Sequence, residues 1–435
     1  ITCQKAIDAL ERYPTLQDSA DVTRLYARLL TWQGVLNLNL EKLGVAEDCL
    51  YKCQQVLDDP WLEPHMVVKE RIFSLILQAL IANLRGNPAF MLECYEQAIQ
   101  LSRQAQEGSI PSLLVYLWPF LMGGSVSIEL YLQMEKNLTE VRQADNPFEL
   151  ACHLYVLGIR ELFHFYRMEK AEALLQDSIR NFQIVGDPAT QVMISKTLGY
   201  LLLVKGNFQE ALTLKRHELK INQVIGDRRM TGITQAEIGE ILCHLGSYVE
   251  AEDQIRSAIA LLQGRSDYEI ALRHRYLGDV LLAQGKYDEA RQAYHLSFHF
   301  FEARDEKGWM LTALTGLSRV ALACGNMTEA WRYVHQALSC YSEVQLFTFF
   351  AYLTIAEKAL LMAFQGETIK ALELYSLVFR QDHFAKSRWF ADVFAKFIEE
   401  ATVHVPFKDQ AAAKKRGQEL DFSETVILLG NHLVN

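Results

Sequence analysis

One six-residue phrase recurs five times between Gly206 and Ala371, and no other feature restricts the fold as much. It reads Gly206-Asn-Phe-Gln-Glu-Ala211, Gly246-Ser-Tyr-Val-Glu-Ala251, Gly285-Lys-Tyr-Asp-Glu-Ala290, Gly325-Asn-Met-Thr-Glu-Ala330 and, degraded, Gly366-Glu-Thr-Ile-Lys-Ala371. The glycines step by 40, 39, 40 and 41 residues, the mark of one supersecondary unit copied end to end. Stacked units build long surfaces more readily than enclosed reaction pockets, so the pattern directs the function toward binding.

Within each unit a second small residue stands seven positions before the phrase: Gly199, Gly239, Gly278 and Ser318. Seven residues make about two helical turns, so both small residues share one face of an apolar first helix and let a neighbouring backbone come close. The phrase glycine is placed to stop that helix in a left-handed conformation, and the acid after it suits the start of a second helix. The closing alanine falls in the first turns of the second helix, where bulk would force the pair apart. Between units, Ile184-Val-Gly-Asp187, Val224-Ile-Gly-Asp227 and Gly264-Arg-Ser-Asp267 combine a glycine stop with an aspartate cap. Strand-like alternation never extends beyond a few residues. The expected fold is all-α: a right-handed superhelical solenoid of helical hairpins with a period near 40 residues.

Counting backwards at the same spacing reaches Tyr166, in the degraded phrase Tyr166-Arg-Met-Glu-Lys-Ala171, and then Gly124, Gly86 and Gly44. The whole chain then holds about nine to eleven hairpins. Divergent helical repeats are expected over 1–145, regular repeats over 146–402 and capping helices over 403–435. Pro111, Pro119 and Gly123-Gly124 interrupt the pattern and predict a distorted unit or a bend.

Leu277-Gly278-Asp-Val-Leu-Leu-Ala-Gln-Gly285-Lys-Tyr287-Asp-Glu-Ala290, with Tyr294 at the later aromatic position, resembles the tetratricopeptide-repeat consensus, as do Leu198-Gly199 and Ile238-Gly239 with their phrases. These units are longer than the usual tetratricopeptide and lack its closing proline. In that respect they resemble the tetratricopeptide regions of MalT-like bacterial regulators, peptide-pheromone receptors and some eukaryotic scaffolds. The segment from Ala411 to Leu429 is similar to the terminal cap of MalT-like and streptomycete antibiotic-regulator-like proteins, which are signal-transducing ATPases with numerous domains (STAND). The resemblance implies a repeat region that senses an inducer and follows a nucleotide-switch ATPase. No Gly-x-x-x-x-Gly-Lys-Ser/Thr loop occurs in the sequence, and the chain opens on Ile1 as though inside a helix, so an excised part of a larger polypeptide is expected.

The resemblance also implies where a guest would lie. Tetratricopeptide proteins commonly bind through first-helix positions three before, one after and five after the small residue. Here these are Lys196, Tyr200 and Val204; Ala236, Glu240 and His244; Arg275, Asp279 and Ala283; Thr315, Arg319 and Ala323. The candidate groove residues are therefore Lys196, Tyr200, Glu240, His244, Arg275, Asp279 and Arg319. Three cations on one wall suit an acidic peptide, a protein partner or a small anionic ligand, unless Glu240, Asp279 and the phrase glutamates pair with them internally. Tyr200 or Tyr276 could stack on a guest or pack between helices. As an exposed cation, Arg275 would tolerate reversal to Glu with little change in melting temperature.

Composition narrows the classes further. The net charge of −10 argues against direct contact with nucleic acid, and Lys414-Lys-Arg416 reads better as a solvated capping helix than as a phosphate-binding patch. No signal peptide or apolar run long enough for a membrane span is visible, and eight scattered cysteines suit reduced core thiols in a cytoplasmic protein. Cys49 with Cys53, and His295 with His299, have one-turn spacing but lack further ligands, so no metal or other cofactor is expected. No nucleophile elbow, Cys–His pair or paired catalytic carboxylates are recognisable, and an enzyme is not expected. The leading function is a ligand- or protein-binding sensor in a larger regulator, with oligomerisation open to the full-length protein. A constitutive scaffold is the alternative, and an α/α-toroid enzyme, which would need long loops at one end of the hairpins, comes third.

Overall fold

The five phrase glycines adopt positive φ, from +68° at Gly206 to +90° at Gly366, and each ends one helix just before another begins. The computed structural model that shows this describes residues 2–12, 19–39, 42–60, 62–85, 135–136, 138–139, 141–143, 147–186, 188–264, 266–344 and 348–431, with 87, 90–91, 93–94, 97–98 and 100–101. The expected irregularity at Pro111, Pro119 and Gly123-Gly124, the repeat glycines Gly86 and Gly124, and the Asp187 cap lie outside these residues. Among the described residues, the regular structure is helical throughout. The chain divides into two compact units, 1–157 and 158–435.

In the first unit, α1 (Thr2–Arg12), α2 (Ala20–Asn39), α3 (Leu43–Leu57) and α4 (Val68–Leu84) are described. Ile7, Tyr26, Ala27, Leu30, Cys53 and Leu57 share one of its cores. Glu70 of α4 is fully buried and accepts a 2.6 Å bond from Arg28 Nε. The division between units falls within α5 (Pro147–Arg160).

The second unit continues through a π turn (Glu161–Phe165) into α6 (Met168–Val185), followed by five hairpins: α7 (Pro188–Val204) with α8 (Phe208–Ile225), α9 (Arg228–His244) with α10 (Tyr248–Leu262), α11 (Asp267–Ala283) with α12 (Tyr287–Glu302), α13 (Lys307–Ala323) with α14 (Met327–Val344), and α15 (Thr348–Phe364) with α16 (Thr368–Phe379). Tyr166, which takes the glycine's place in the degraded phrase, is itself left-handed at φ +53°. Asp227 caps α9 by accepting from Met230 N at 2.9 Å. In the next junction the cap is Ser266, which accepts from Glu269 N, and Asp267 is already the first helical residue. Serine wins there because the cap needs an extended backbone one residue outside the helix.

The small residues do what their spacing predicts. A Cβ added to Gly239 would lie 2.5 Å from Ile255 Cγ1, and one on Gly278 would lie 2.6 Å from the Tyr294 ring. Ser318 instead donates its hydroxyl to Ala330 O at 2.9 Å, so a polar side chain is accepted only because it is bonded. The phrase alanines Ala211, Ala251, Ala290, Ala330 and Ala371 are all 0% exposed. One continuous core then runs from Phe208 to Leu429.

After α16 the chain leaves the repeat pattern. α17 (Asp382–Lys386) leads into one unbroken helical run made of α18 (Arg388–Phe390), a π turn (Ala391–Ala395) and α19 (Lys396–Thr402), and together they form a strap. Then α20 (Phe407–Glu419) packs on α16, with Gly417 against the Glu373 carbonyl and Arg416 Nε bonded to Glu373 at 2.7 Å. α21 (Phe422–Asn431) closes the stack, where Phe422 meets Tyr352 and Lys358 Nζ donates to Leu429 O. Lys414 and Lys415 are exposed on α20. Replacing Gly278 with Ala is expected to destabilise the chain by about 1–3 kcal/mol, since the ring of Tyr294 must shift, and Ala290→Trp by at least as much. Urea unfolding with unchanged slope and an unchanged midpoint would contradict the packing described.

Candidate functional site

The residues expected to form a groove all lie on the first helices, and they separate into two zones. The first lies around Lys196 and Tyr200 of α7. Lys215 of α8 stands sixteen positions after Gly199, where the other hairpins place Ile255, Tyr294 and Val334. A lysine in a core position must keep partners: its Nζ lies 2.9 Å from Glu218 and 2.8 Å from Glu237, and 5.8 Å from the centre of the Tyr200 ring. Burial pushes the Lys196 amine below its ordinary value, opposed by Glu218 and Glu237. Among the described residues no carboxylate lies within ion-pair distance of Lys196. Sequence reasoning missed Lys215, although its break in an otherwise apolar column was the available signal.

The second zone joins α9, α11 and α13. Arg275 Nη1 lies 2.8 Å from Asp279, its Nη2 3.5 Å from Glu240, and its guanidinium 4.0 Å from the centre of the Tyr276 ring. Asp279 also accepts from Tyr294 OH at 2.7 Å. Burial pushes the Glu240 carboxyl up to about 7, with Arg275 opposing. Arg275 is only 5% exposed, which corrects the expectation of a freely reversible surface charge. Val204 and Ala236 are buried between helices, and Thr315 bonds Leu311 O and Thr354.

The strap lies along this second zone. His383 Nδ1 is 2.8 Å from Leu203 O, and Lys386 Nζ donates to Lys205 O at 2.9 Å, both at the end of α7. His244 of α9 stands 2.8 Å from Ser387 Oγ, stacked on Phe208 and edge-on to His383. Trp389 Nε1 donates to Asp279 O of α11 at 2.9 Å, and Tyr248 OH donates to Asp392 at 2.6 Å. Arg319 Nε of α13 donates to Val393 O at 2.9 Å with its guanidinium over Phe397. Behind Arg319, Ser318 Oγ lies 3.0 Å from the buried Glu357, whose carboxyl burial raises to about 7. His244, Asp279 and Arg319 thus touch the chain's own C-terminal part, whereas Lys196 and Tyr200 belong to the other zone. A cleft lined by Arg275, Thr312, Thr315, Arg319, Phe350 and Trp389 remains beside the strap. The strap had no sequence signal, because its residues pair with positions up to 181 residues earlier. Among the described residues there is no cluster of three or more His, Cys, Asp or Glu side chains fit for a metal ion.

Residues 186–395 match the MalT-like TPR region, from the turn before α7 to the end of the strap's π turn. A stretch of 119 residues is 29% identical to Regulatory protein AfsR of Streptomyces coelicolor, covering 27% of this chain and 12% of that protein. The chain therefore spans a small part of that regulator's length. The crystal structure of Rap protein complexed with Competence and Sporulation Factor superposes with a TM-score of 0.57 at 11% identity, over 93% of this chain and 99% of that one, which shows a shared fold. A STAND protein with a tetratricopeptide repeat sensor from Pyrococcus horikoshii gives a looser TM-score of 0.38 at 15% identity, over 95% of this chain and 55% of that one.

Reversing Arg275 to Glu would bury a third carboxylate beside Glu240 and Asp279, and a loss of about 3–5 kcal/mol is expected. A melting temperature within two or three degrees of the parent would refute that account. His383 has its pKa pushed down to about 4, chiefly by burial. The unfolded chain therefore binds the proton more readily than the native one. Stability is complete above about pH 6.5 and falls as pH drops toward 4, by roughly 3 kcal/mol from this residue. Burial shifts His244 in the same direction, with His383 and Arg275 adding to it. His383→Gln should flatten the slope of unfolding free energy between pH 4 and 6.5 relative to the parent; parallel curves would remove the assignment.

Proposed function

We propose that this chain, whose residues 186–395 form a MalT-like TPR region, is the sensing and interaction part of a larger regulatory protein. Its first-helix face takes a peptide or protein segment of a partner. One observation carries the reading: that face holds a polypeptide segment in the structure, through side chains and helix carbonyls of α7, α9, α11 and α13. Lys196, without a carboxylate partner among the described residues, offers a place for an anionic end of the guest, and Tyr200 lies beside it. The Rap structure bears Competence and Sporulation Factor on the same fold, and the regulator AfsR supplies the parallel for a larger parent protein. Binding would alter the tilt between hairpins and pass the change to the rest of the polypeptide. The role is recognition rather than catalysis. The thiols of Cys243 and Cys340, free and buried, suit a reducing cytoplasm.

A random peptide library offers the test, with a photo-crosslinking residue placed at Tyr200 or Tyr276. Retained peptides should crosslink there and change the small-angle scattering profile at saturation. Crosslinks confined to the second helices α8, α10 and α12 would sink the assignment of the binding face, and an unchanged profile would return the chain to the class of constitutive scaffolds.

A further inference from the structure

We infer that the strap from Gln381 to Phe397 is an exchangeable occupant of the first-helix face, and that the guest which replaces it is an amphipathic segment with tryptophan and phenylalanine on its inner side. The inference rests on reading that face as the binding surface and adds what governs it.

Three features of the strap point this way. Its first helix, α17, has five residues and is too short to persist alone, and the helical run after it, Arg388–Thr402, is loosened by a π turn at Ala391–Ala395. It is two-sided: Phe384, Trp389, Phe390 and Phe394 are buried against the repeats, while Asp382, Ala385, Lys386, Arg388 and Lys396 face solvent. Its docking positions are also specific to the first two elbows. A Cβ at Gly206 would lie 2.8 Å from Lys386 and one at Gly246 2.7 Å from Arg388, whereas the same atom at Gly285, Gly325 or Gly366 meets nothing within 4 Å. The elbows that the strap crosses leave no room for any side chain, and the equivalent elbows beyond it are open.

Simple lifting of the strap is costly, since four aromatic side chains would enter water and Arg319 would lose the Val393 carbonyl. A competitor that buries its own aromatic groups there and supplies a carbonyl to Arg319 offsets that cost, so exchange is the accessible route. The guest must therefore bring bulky aromatic groups for the apolar floor, an indole-type donor for Asp279 O and a backbone carbonyl for Arg319 Nε. Donors to Leu203 O and Lys205 O complete the set. The strap also ties four successive hairpins together, so its departure frees their relative tilt.

The test uses the full chain and a fluorescent synthetic peptide of residues 381–398. The parent should bind it weakly, and Trp389→Ala should bind at least tenfold tighter. Adding Arg319→Ala should cancel that gain. Hydrogen exchange at saturating peptide should show the amides of 382–397 exchanging at least tenfold faster while α9 and α11 stay protected. If Trp389→Ala does not fold, Ser387→Ala, which loses the bond to His244 and the cap on Phe390 N, serves instead. A folded variant with no gain in peptide affinity overturns the exchange. So does a strap that stays protected while library peptides crosslink at Tyr276, and that result leaves the binding face standing. Library peptides that avoid the first helices altogether would remove both.

Discussion

Close approach of paired helices at a side-chain-free spot is the constraint on which the second unit depends. Gly239 admits Ile255 and Gly278 admits Tyr294 to distances that a methyl group would forbid, and the phrase alanines repeat the arrangement from the other helix. Because each contact recurs every 39 to 41 residues, neighbouring hairpins bury equivalent apolar surfaces and one core can extend along the stack. The left-handed glycines return the chain within a few residues, which keeps the two helices of each pair antiparallel.

Equivalent positions are free to differ only where the substitution brings its own partners. Lys215 occupies a column otherwise filled by Ile, Tyr and Val, and it persists there because Glu218 and Glu237 both reach its ammonium group. Ser318 stands among glycines because its hydroxyl lies within hydrogen-bond distance of both Ala330 O and Glu357. These exceptions concentrate on the first-helix side, where Arg275, Glu240, Asp279 and Arg319 also lie. Such groups do little for net stability, since desolvation offsets their attraction. They do fix geometry, and they give that face a polarity which an apolar core would lack.

Acid and strap meet at the same place. His244 and His383 form an edge-on pair beneath Ser387, each held neutral by burial. Protonating either puts a charge among Phe208, Phe349 and Trp389. The hold of the C-terminal segment on α7 and α9 is thus coupled to pH.

The elbows, the helical pairs and the repeat spacing were legible in the sequence because they depend on local chemistry: glycine for positive φ, alanine for close contact, an acid at a helix start. The candidate positions on the first helices were legible too, through the same register. Their surroundings were not. Whether Arg275 faces solvent, what bonds Arg319, and why a lysine sits at position 215 depend on residues about 20 to 75 positions away, whose arrival no periodicity records. The sequence alone determined a stack of helix pairs and the register of their first helices. Only the tertiary structure decided that part of the first-helix side is already filled, because the filling segment carries no copy of the six-residue phrase and is placed by packing rather than by any pattern of its own.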